Sequence, residues 1–263
     1  AGAQFGAAWG LETALWFAPP GVKDEFSWRR STDFEHVAEE CRAVREQVGI
    51  TEISSFAKYT IQGLGAHAWL DYILASRIPK PGRMTLAPML KHDGKLIGDF
   101  SLANLGDKGF FLAGSGIAED YHMRWFSDHL PADDSVTLTA VGHGWCGLSI
   151  AGPHAREVLQ SISDSDVSAQ AFRFMDIREM NLGMAPVLVG RVTFTGDLGY
   201  EIWCKPEYQR YLFDLLMQAG ESYGIRLFGA RALNALRLEK SFGSWSREYR
   251  PTYGPVETGL SRF

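Results

Sequence analysis

Apolar and polar positions along the chain fall into two periods. Phe34, Val37, Ala38, Cys41, Val44 and Val48 recur at helical spacing. They follow Ser31-Thr32-Asp33, which offers caps, and precede Gly49, which stops the helix. Residues 57–63 (AKYTIQG) then read as a strand and 66–76 (AHAWLDYILAS) as a helix. Residues 84–91 and 96–104 predict a hairpin around Asp93-Gly94. Another strand is expected at 109–114, and a helix at 117–130, closed by Pro131. The second half runs through the same order: strand 146–151, helix 153–162, a strand pair at 185–195 and 199–204, and helix 206–223 with Pro206 in its first turn. A last helix is expected at 229–242.

The wording repeats as well as the order. Ile61-Gln62-Gly63-Leu64-Gly65-Ala66 leads into Trp69-Leu70 and Ile73; Ile150-Ala151-Gly152-Pro153-His154-Ala155 leads into Val158-Leu159 and Ile162, each 89 positions later. Both read as a strand ending at a glycine turn that opens a helix, where a side chain would clash. Strand-helix-strand-strand-helix order in both halves predicts an α+β fold of two ferredoxin-like subdomains, roughly 50–135 and 136–242. Residues 1–24 stand outside this scheme. A Gly/Ala-rich start gives way to Trp16, Phe17, Pro19, Pro20 and Gly21, which reads as a linker or a strap without a core of its own.

Composition narrows the chemistry mainly by exclusion. The 263 residues carry a formal charge of −5, against the basic excess that a nucleic-acid binder needs. A few local arginines still suffice for a small acidic ligand. Aromatic residues are plentiful enough to bind a flat heterocycle, although core packing accounts for most of them. Cys41, Cys146 and Cys204 lie far apart without a CxxC, which predicts free thiols and a reducing compartment. No apolar run approaches the ~20 residues of a membrane helix, and the start lacks the pattern of a signal peptide. The expectation is a soluble, cytoplasmic protein with no membrane partner, or a mitochondrial matrix protein if the source is eukaryotic. GxSxG, P-loop and HExxH patterns are absent, and no GxGxxG follows an opening strand. His122 and His129, seven positions apart on one helix face, are too distant to grip one metal, so no metal site is expected.

Four segments carry candidate chemistry. Lys95 to Leu102 sets Asp99 within an apolar strand, facing either solvent or a cleft where it could stabilise a cation or exchange a proton. Gly114-Ser115-Gly116 ends a strand and opens a helix, leaving amides for a polar ligand group or forming a plain turn. Phe194 to Trp203 is a glycine-rich turn followed by Glu201 between Tyr200 and Ile202, odd for a plain strand. A carboxylate there could take two hydrogen bonds from a guanidine-like edge. Gly229 to Lys240 places Arg231, Asn234 and Glu239 near one helix face, which helical ion pairing also explains.

Together SSFAKYTIQG, GDFSLANL, GSGIAEDYHMRW, IAGPHAREVL, FTGDLGYEIW and GARALNALRLEKSFGSWSREY resemble the folate domain of dimethylglycine and sarcosine dehydrogenases, which belongs with the T-protein (aminomethyltransferase) of the glycine cleavage system. The resemblance runs from residue 25 to the end, and it implies the aminomethyltransferase folate-binding fold without its C-terminal β-barrel. Residues 1–24 then resemble the connector that follows a flavin domain, although Glu12-Thr13-Ala14-Leu15-Trp16-Phe17 departs from the usual pattern there.

The resemblance also implies roles. Asp99 matches the active-site aspartate beside the folate nitrogen, Glu201 the glutamate that bonds the pterin edge, and Arg231 an arginine that helps hold folate. Tyr59, Ser115, Tyr200 and Trp245 are candidates for lining the cofactor site. The implied reaction is acceptance of a methylene or formaldehyde unit, derived from oxidative demethylation of an N-methyl amine, by bound tetrahydrofolate to form 5,10-methylenetetrahydrofolate. FAD would belong to a flavin oxidoreductase domain supplied in cis or in trans. Two alternatives are a stand-alone folate-dependent S- or O-demethylase and a non-catalytic domain that binds folate or docks.

Overall fold

The computed structural model describes residues 2–8 and 11–262. In chain order its elements are strands β1 (Ala3–Ala8) and β2 (Leu11–Phe17), helix α1 (Phe34–Glu46), β3 (Gly49–Glu52), β4 (Ala57–Gln62) and α2 (Ala66–Ile73). Strands β5 (Met84–Leu90), β6 (Leu96–Asn104) and β7 (Phe110–Gly114) follow, then α3 (Glu119–Asp128), β8 (Thr137–Ala140), β9 (Cys146–Ala151) and α4 (Ala155–Ser161). The chain continues through β10 (Ile177–Leu182), β11 (Ala185–Gly190), β12 (Gly199–Cys204), α5 (Pro206–Gly220), β13 (Arg226–Leu227) and α6 (Ala230–Glu239).

Two compact units result. One comprises residues 1–53, 146–174 and 179–242, the other 54–145, 175–178 and 243–263. The unit boundaries therefore fall near 54 and 146 rather than at 50 and 136, and residues 243–263 return to the unit of β4–β8. That unit has a five-stranded sheet in the order β5-β6-β7-β4-β8. Counting β4, β6, β7 and β8, the last strand lies beside the first and the middle pair follows. This is the ferredoxin-like order, with β5 added at the edge. Trp69 and Leu70 of α2 and Phe126 of α3 pack with Tyr59, Leu102 and Leu112 on one face.

The other unit repeats the plan. Its sheet runs β10-β11-β12-β9-β3-β13. The starts of β9, α4, β11, β12 and β13 each lie 89 positions after those of β4, α2, β6, β7 and β8. Strand β3, from the N-terminal part of the chain, is inserted between β9 and β13. Val158, Leu159, Leu212 and Leu216 of α4 and α5 cover one face over Ile150 and Ile202. On the other, Ala151 meets Val44 of α1 and Ala232 and Leu236 of α6.

The repeated glycine turns explain the repeated letters. Gly63 has φ +109° and Gly152 φ +135°. A Cβ at Gly63 would lie 2.2 Å from the Ser135 carbonyl oxygen, and at Gly152 2.4 Å from that of Gln47. Neither backbone neighbour can step aside cheaply.

Of the two expectations for residues 1–24, the described residues fit the strap rather than the loose linker. The β1 and β2 strands pair as an antiparallel hairpin. Trp16 is completely buried, and Glu40 of α1 accepts the N–H groups of Phe17 at 2.6 Å and Gly229 at 2.8 Å. The helix at 117–130 resolves into a 3-10 turn, Gly116–Ala118, and α3. Asp33 stands at the N-cap of α1 but closes no cap bond; its carboxylate pairs with Arg231 at 2.8 Å. All three cysteines are free thiols. No helix among the described residues is long and apolar enough to cross a membrane, and none of their His, Cys, Asp and Glu side chains gather in a group of three that could hold a metal.

Candidate functional site

Each unit presents a half-buried carboxyl that burial lifts to a pKa of about 7. In the β4–β8 unit this is Asp99, on β6 opposite Pro88 of β5. Side chains alternate along a strand, so Asp99 points away from the face on which Leu102 meets Leu112 and Tyr59. The side chain is half-buried overall, but its Oδ1 is sealed from solvent and has no hydrogen-bond partner. Burial is the dominant influence on this group and lifts its pKa from 3.8 to about 7, against a smaller opposing effect of its own backbone N–H. A carboxyl at about 7 exchanges protons readily near neutral pH.

Aromatic residues surround this end of β6. The His122 ring of α3 is completely buried and lies 4.7 Å from Phe100 and 5.8 Å from Trp245, centroid to centroid. Neither His122 nitrogen closes a hydrogen bond of normal geometry, although the Ile97 carbonyl weakly favours its proton. Burial outweighs that and lowers the pKa to about 4, so the imidazole is neutral at physiological pH. Trp245 also faces Tyr121, at 6.1 Å. Tyr249, which the sequence pattern did not single out, is buried in the same core as Trp245, and its phenol pKa is raised first by burial and next by the charge of Asp99.

In the other unit Glu201 occupies β12. It pairs with Gly190 on one side and Ser149 on the other, and Ser149 pairs with Thr51. Paired residues share a face, so Glu201 sits in a row of small residues opposite the face covered by α4 and α5. On its own side Trp203 lies so close over Gly147 that a Cβ there would fall 2.5 Å from the ring. Glu201 is half-buried, and its carboxyl makes no hydrogen bond or ion pair with another described residue. Burial alone raises its carboxyl from 4.5 to about 7.

The remaining candidates have different surroundings. Tyr59 is completely buried against Phe126, 5.2 Å away, on the helix-covered face. Tyr200 is equally buried and stacks on Phe172 at 5.7 Å. As placed, neither ring has surface to offer a ligand. Ser115 is half-buried between β7 and the 3-10 turn, with its carbonyl accepting the Ala118 N–H. Arg231 is already held by Asp24 at 2.7 Å and Asp33 at 2.8 Å. Asp99, Tyr59, Ser115 and Trp245 thus belong to one unit, and Glu201, Tyr200 and Arg231 to the other.

Known proteins supply the context. The chain is 34% identical over 262 residues to mitochondrial dimethylglycine dehydrogenase of Mus musculus, covering 98% of this chain and 30% of that protein. It is 29% identical over 245 residues to an aminomethyltransferase of Clostridium botulinum, covering 92% of this chain and 65% of that protein. The chain therefore spans about a third of the first relative and less than two thirds of the second. The crystal structure of the glycine cleavage system aminomethyltransferase T from Bartonella henselae superposes with a TM-score of 0.83 at 22% identity, over 100% of this chain and 65% of that one, and shares the fold. The family model described as the GCVT N-terminal domain matches residues 1–263, and the chain belongs to that family.

Proposed function

We propose that this chain binds tetrahydrofolate and accepts a one-carbon unit released by oxidative demethylation of an N-methyl amine of the dimethylglycine or sarcosine type, forming 5,10-methylenetetrahydrofolate. The observation that carries this reading is the pair of half-buried carboxyls, Asp99 and Glu201, which bond no other described side chain and are each held near pKa 7 by desolvation. A buried acid with nothing to bond costs stability, and such a cost is ordinarily retained for function. Likeness to dimethylglycine dehydrogenase and aminomethyltransferase supports the choice of ligand.

In this reading Glu201 accepts two N–H bonds from the amino-pyrimidine edge of the pterin, a geometry suited to a carboxylate. Binding favours its ionised form and draws its pKa down. Asp99 lies beside the folate nitrogen that receives the carbon. Its negative charge would favour the iminium cation, and it would take the proton that nitrogen loses as the new C–N bond forms and pass it to the donor amine, which departs neutral as its own C–N bond to the transferred carbon breaks. Folate nitrogens are the nucleophiles, so no nucleophilic side chain is required and positioning supplies most of the acceleration. Trp245 and Ser115 are proposed to line the Asp99 side. The spent guanidinium of Arg231 and the buried rings of Tyr59 and Tyr200 leave those three in supporting roles. The donor would come from a flavin oxidoreductase domain in cis or in trans, and FAD would reside there.

Titration of the folded chain with tetrahydrofolate, followed by calorimetry or tryptophan fluorescence, tests the proposal. Saturable binding that weakens on Glu201→Gln is expected; no binding at millimolar ligand would sink it. A transfer rate unchanged by Asp99→Asn in the presence of formaldehyde would instead leave a folate-binding domain without catalysis.

A further inference from the structure

Two cysteines that lie far apart along the chain meet across a pair of strands. Cys146 opens β9, Cys204 ends β12, and the two are direct partners in the antiparallel register. At the far end of this ladder Gly152 N donates to the Leu198 carbonyl at 2.7 Å. Hydrogen-bonded and non-bonded pairs alternate along an antiparallel ladder. Counting back from Gly152 and Leu198 therefore puts Cys146 and Cys204 at a hydrogen-bonded pair. Gly147 agrees with this phase, because its carbonyl turns away from β12 and accepts the Ile53 N–H at 2.9 Å. The Cα atoms of a hydrogen-bonded pair stand about 5.5 Å apart, inside the span that a disulfide bridges.

Paired residues share a face, and both side chains enter the core with Ile150, Ile202, Leu212 and Leu216. Cys146 is 6% exposed and Cys204 1%, and both are free thiols. Burial pushes the Cys204 thiol up to about 11, and the nearby Cys146 sulfur and then Glu207 add to the rise. Cys41 lies elsewhere. Its Sγ donates to the Ala232 carbonyl at 3.9 Å, on the opposite face of the sheet, which α1 and α6 cover.

We propose that Cys146 and Cys204 are a redox pair, which a small peroxide converts reversibly to a cross-strand disulfide at the end of the strand that bears Glu201. The Cys146 sulfur, the more exposed of the two, attacks the peroxide. The O–O bond breaks, Cys146 becomes a sulfenic acid, and one water leaves with the thiol proton. The Cys204 sulfur then attacks the Cys146 sulfur. The S–S bond forms, the S–O bond breaks, and the hydroxyl leaves with the Cys204 proton as a second water. The two thiols thus lose the two electrons that the peroxide gains, and two molecules of a thiol reductant restore them by exchange. Cβ atoms opposite each other lie about 4.5–5.5 Å apart. A disulfide needs roughly 3.5–4.5 Å, so closure draws the strands together by about 1 Å. Cys146 and Cys204 are the last pair of their ladder, where no further pair resists that movement. A bond closed under such strain is the more readily reduced, as a reversible pair requires.

The test uses the whole folded chain. Native protein is exposed to millimolar hydrogen peroxide while circular dichroism verifies that it stays folded, then denatured for thiol counting and intact mass. The count should fall from three thiols to one, and the mass by two hydrogens. A digest should contain one peptide pair, joined through Cys146 and Cys204, that dithiothreitol separates. Cys204→Ser should abolish the joined pair and leave Cys146 to gain oxygen instead, whereas Cys41→Ser should leave the pair unchanged. Three thiols that survive until the chain is unfolded overturn the proposal. Separate oxygen adducts on Cys146 and Cys204 in the wild type, or a bridge that requires Cys41, overturn it as well. Folate plays no part in this readout, so the proposed function and the redox pair stand or fall separately.

Discussion

Replacing Asp99 by Asn removes a charge that the fold holds at a cost. Burial carries the carboxyl from 3.8 to about 7, some three pH units. At about 1.4 kcal/mol per unit, the ionised form is disfavoured by roughly 4 kcal/mol relative to the unfolded chain. The folded pKa lies above the unfolded one, so the contribution is harmless below about 3.8. Its cost grows as pH rises through that value and is fully present above about 7. The side chain is only half-buried and its surroundings relax on ionisation, which brings the measurable cost down to roughly 1–3 kcal/mol. Asn is isosteric with the protonated acid. The variant should therefore match wild type near pH 4 and exceed it by that amount at pH 8, or by ~2–4 °C in Tm per kcal/mol. Urea denaturation followed by circular dichroism at both pH values reads the difference. A stability gain independent of pH, or a loss at pH 8, would refute the assignment of Asp99 as a carboxyl strained by burial. Under the proposed function the same variant should also lose one-carbon transfer, a trade of activity for stability that such sites commonly show.

Three further outcomes follow from the geometry. Glu40→Ala leaves the Phe17 and Gly229 N–H groups without their acceptor and should cost about 2–4 kcal/mol in denaturation, with Glu40→Gln recovering part of it. Gly63→Ala and Gly152→Ala each drive a Cβ into a backbone carbonyl at positive φ and should each cost more than about 1 kcal/mol by the same measurement. His122 is held near pKa 4, below its ordinary 6.5, so wild type loses stability as pH falls from about 6.5 towards 4, by up to roughly 3 kcal/mol. His122→Phe should flatten that acid limb, and an unchanged limb would show that another group causes it.

Much of the architecture is legible in the sequence. The β5–β6 hairpin announces itself through Asp93-Gly94 between apolar runs, and the two glycine turns at Gly63 and Gly152 announce the repeat. Short strands carried no comparable signal: β13 is two residues long and β3 four, too few for a period to register. The β1–β2 hairpin escaped for a related reason. Its Gly/Ala-rich letters have little alternation, and the burial of Trp16 depends on elements that come later in the chain. Asp99 and Glu201 were visible as acids among apolar neighbours. Whether they faced solvent could not be read, because alternation fixes which residues share a face and leaves open what covers that face. The packing of residues 243–262 on β6 could not be read, since that segment returns to β6 only after the second unit is complete.

The sequence by itself determined the local periods, the duplicated plan and the motifs that mark the family, because these depend on residues near one another along the chain. Tertiary structure decided which polar groups lost water without gaining partners. It sealed Asp99 Oδ1, left Glu201 half-buried without a partner, occupied Arg231 with Asp24 and Asp33, and placed Tyr59 and Tyr200 in cores. Desolvation is a property of everything that packs around a group, and those neighbours come from distant parts of the chain.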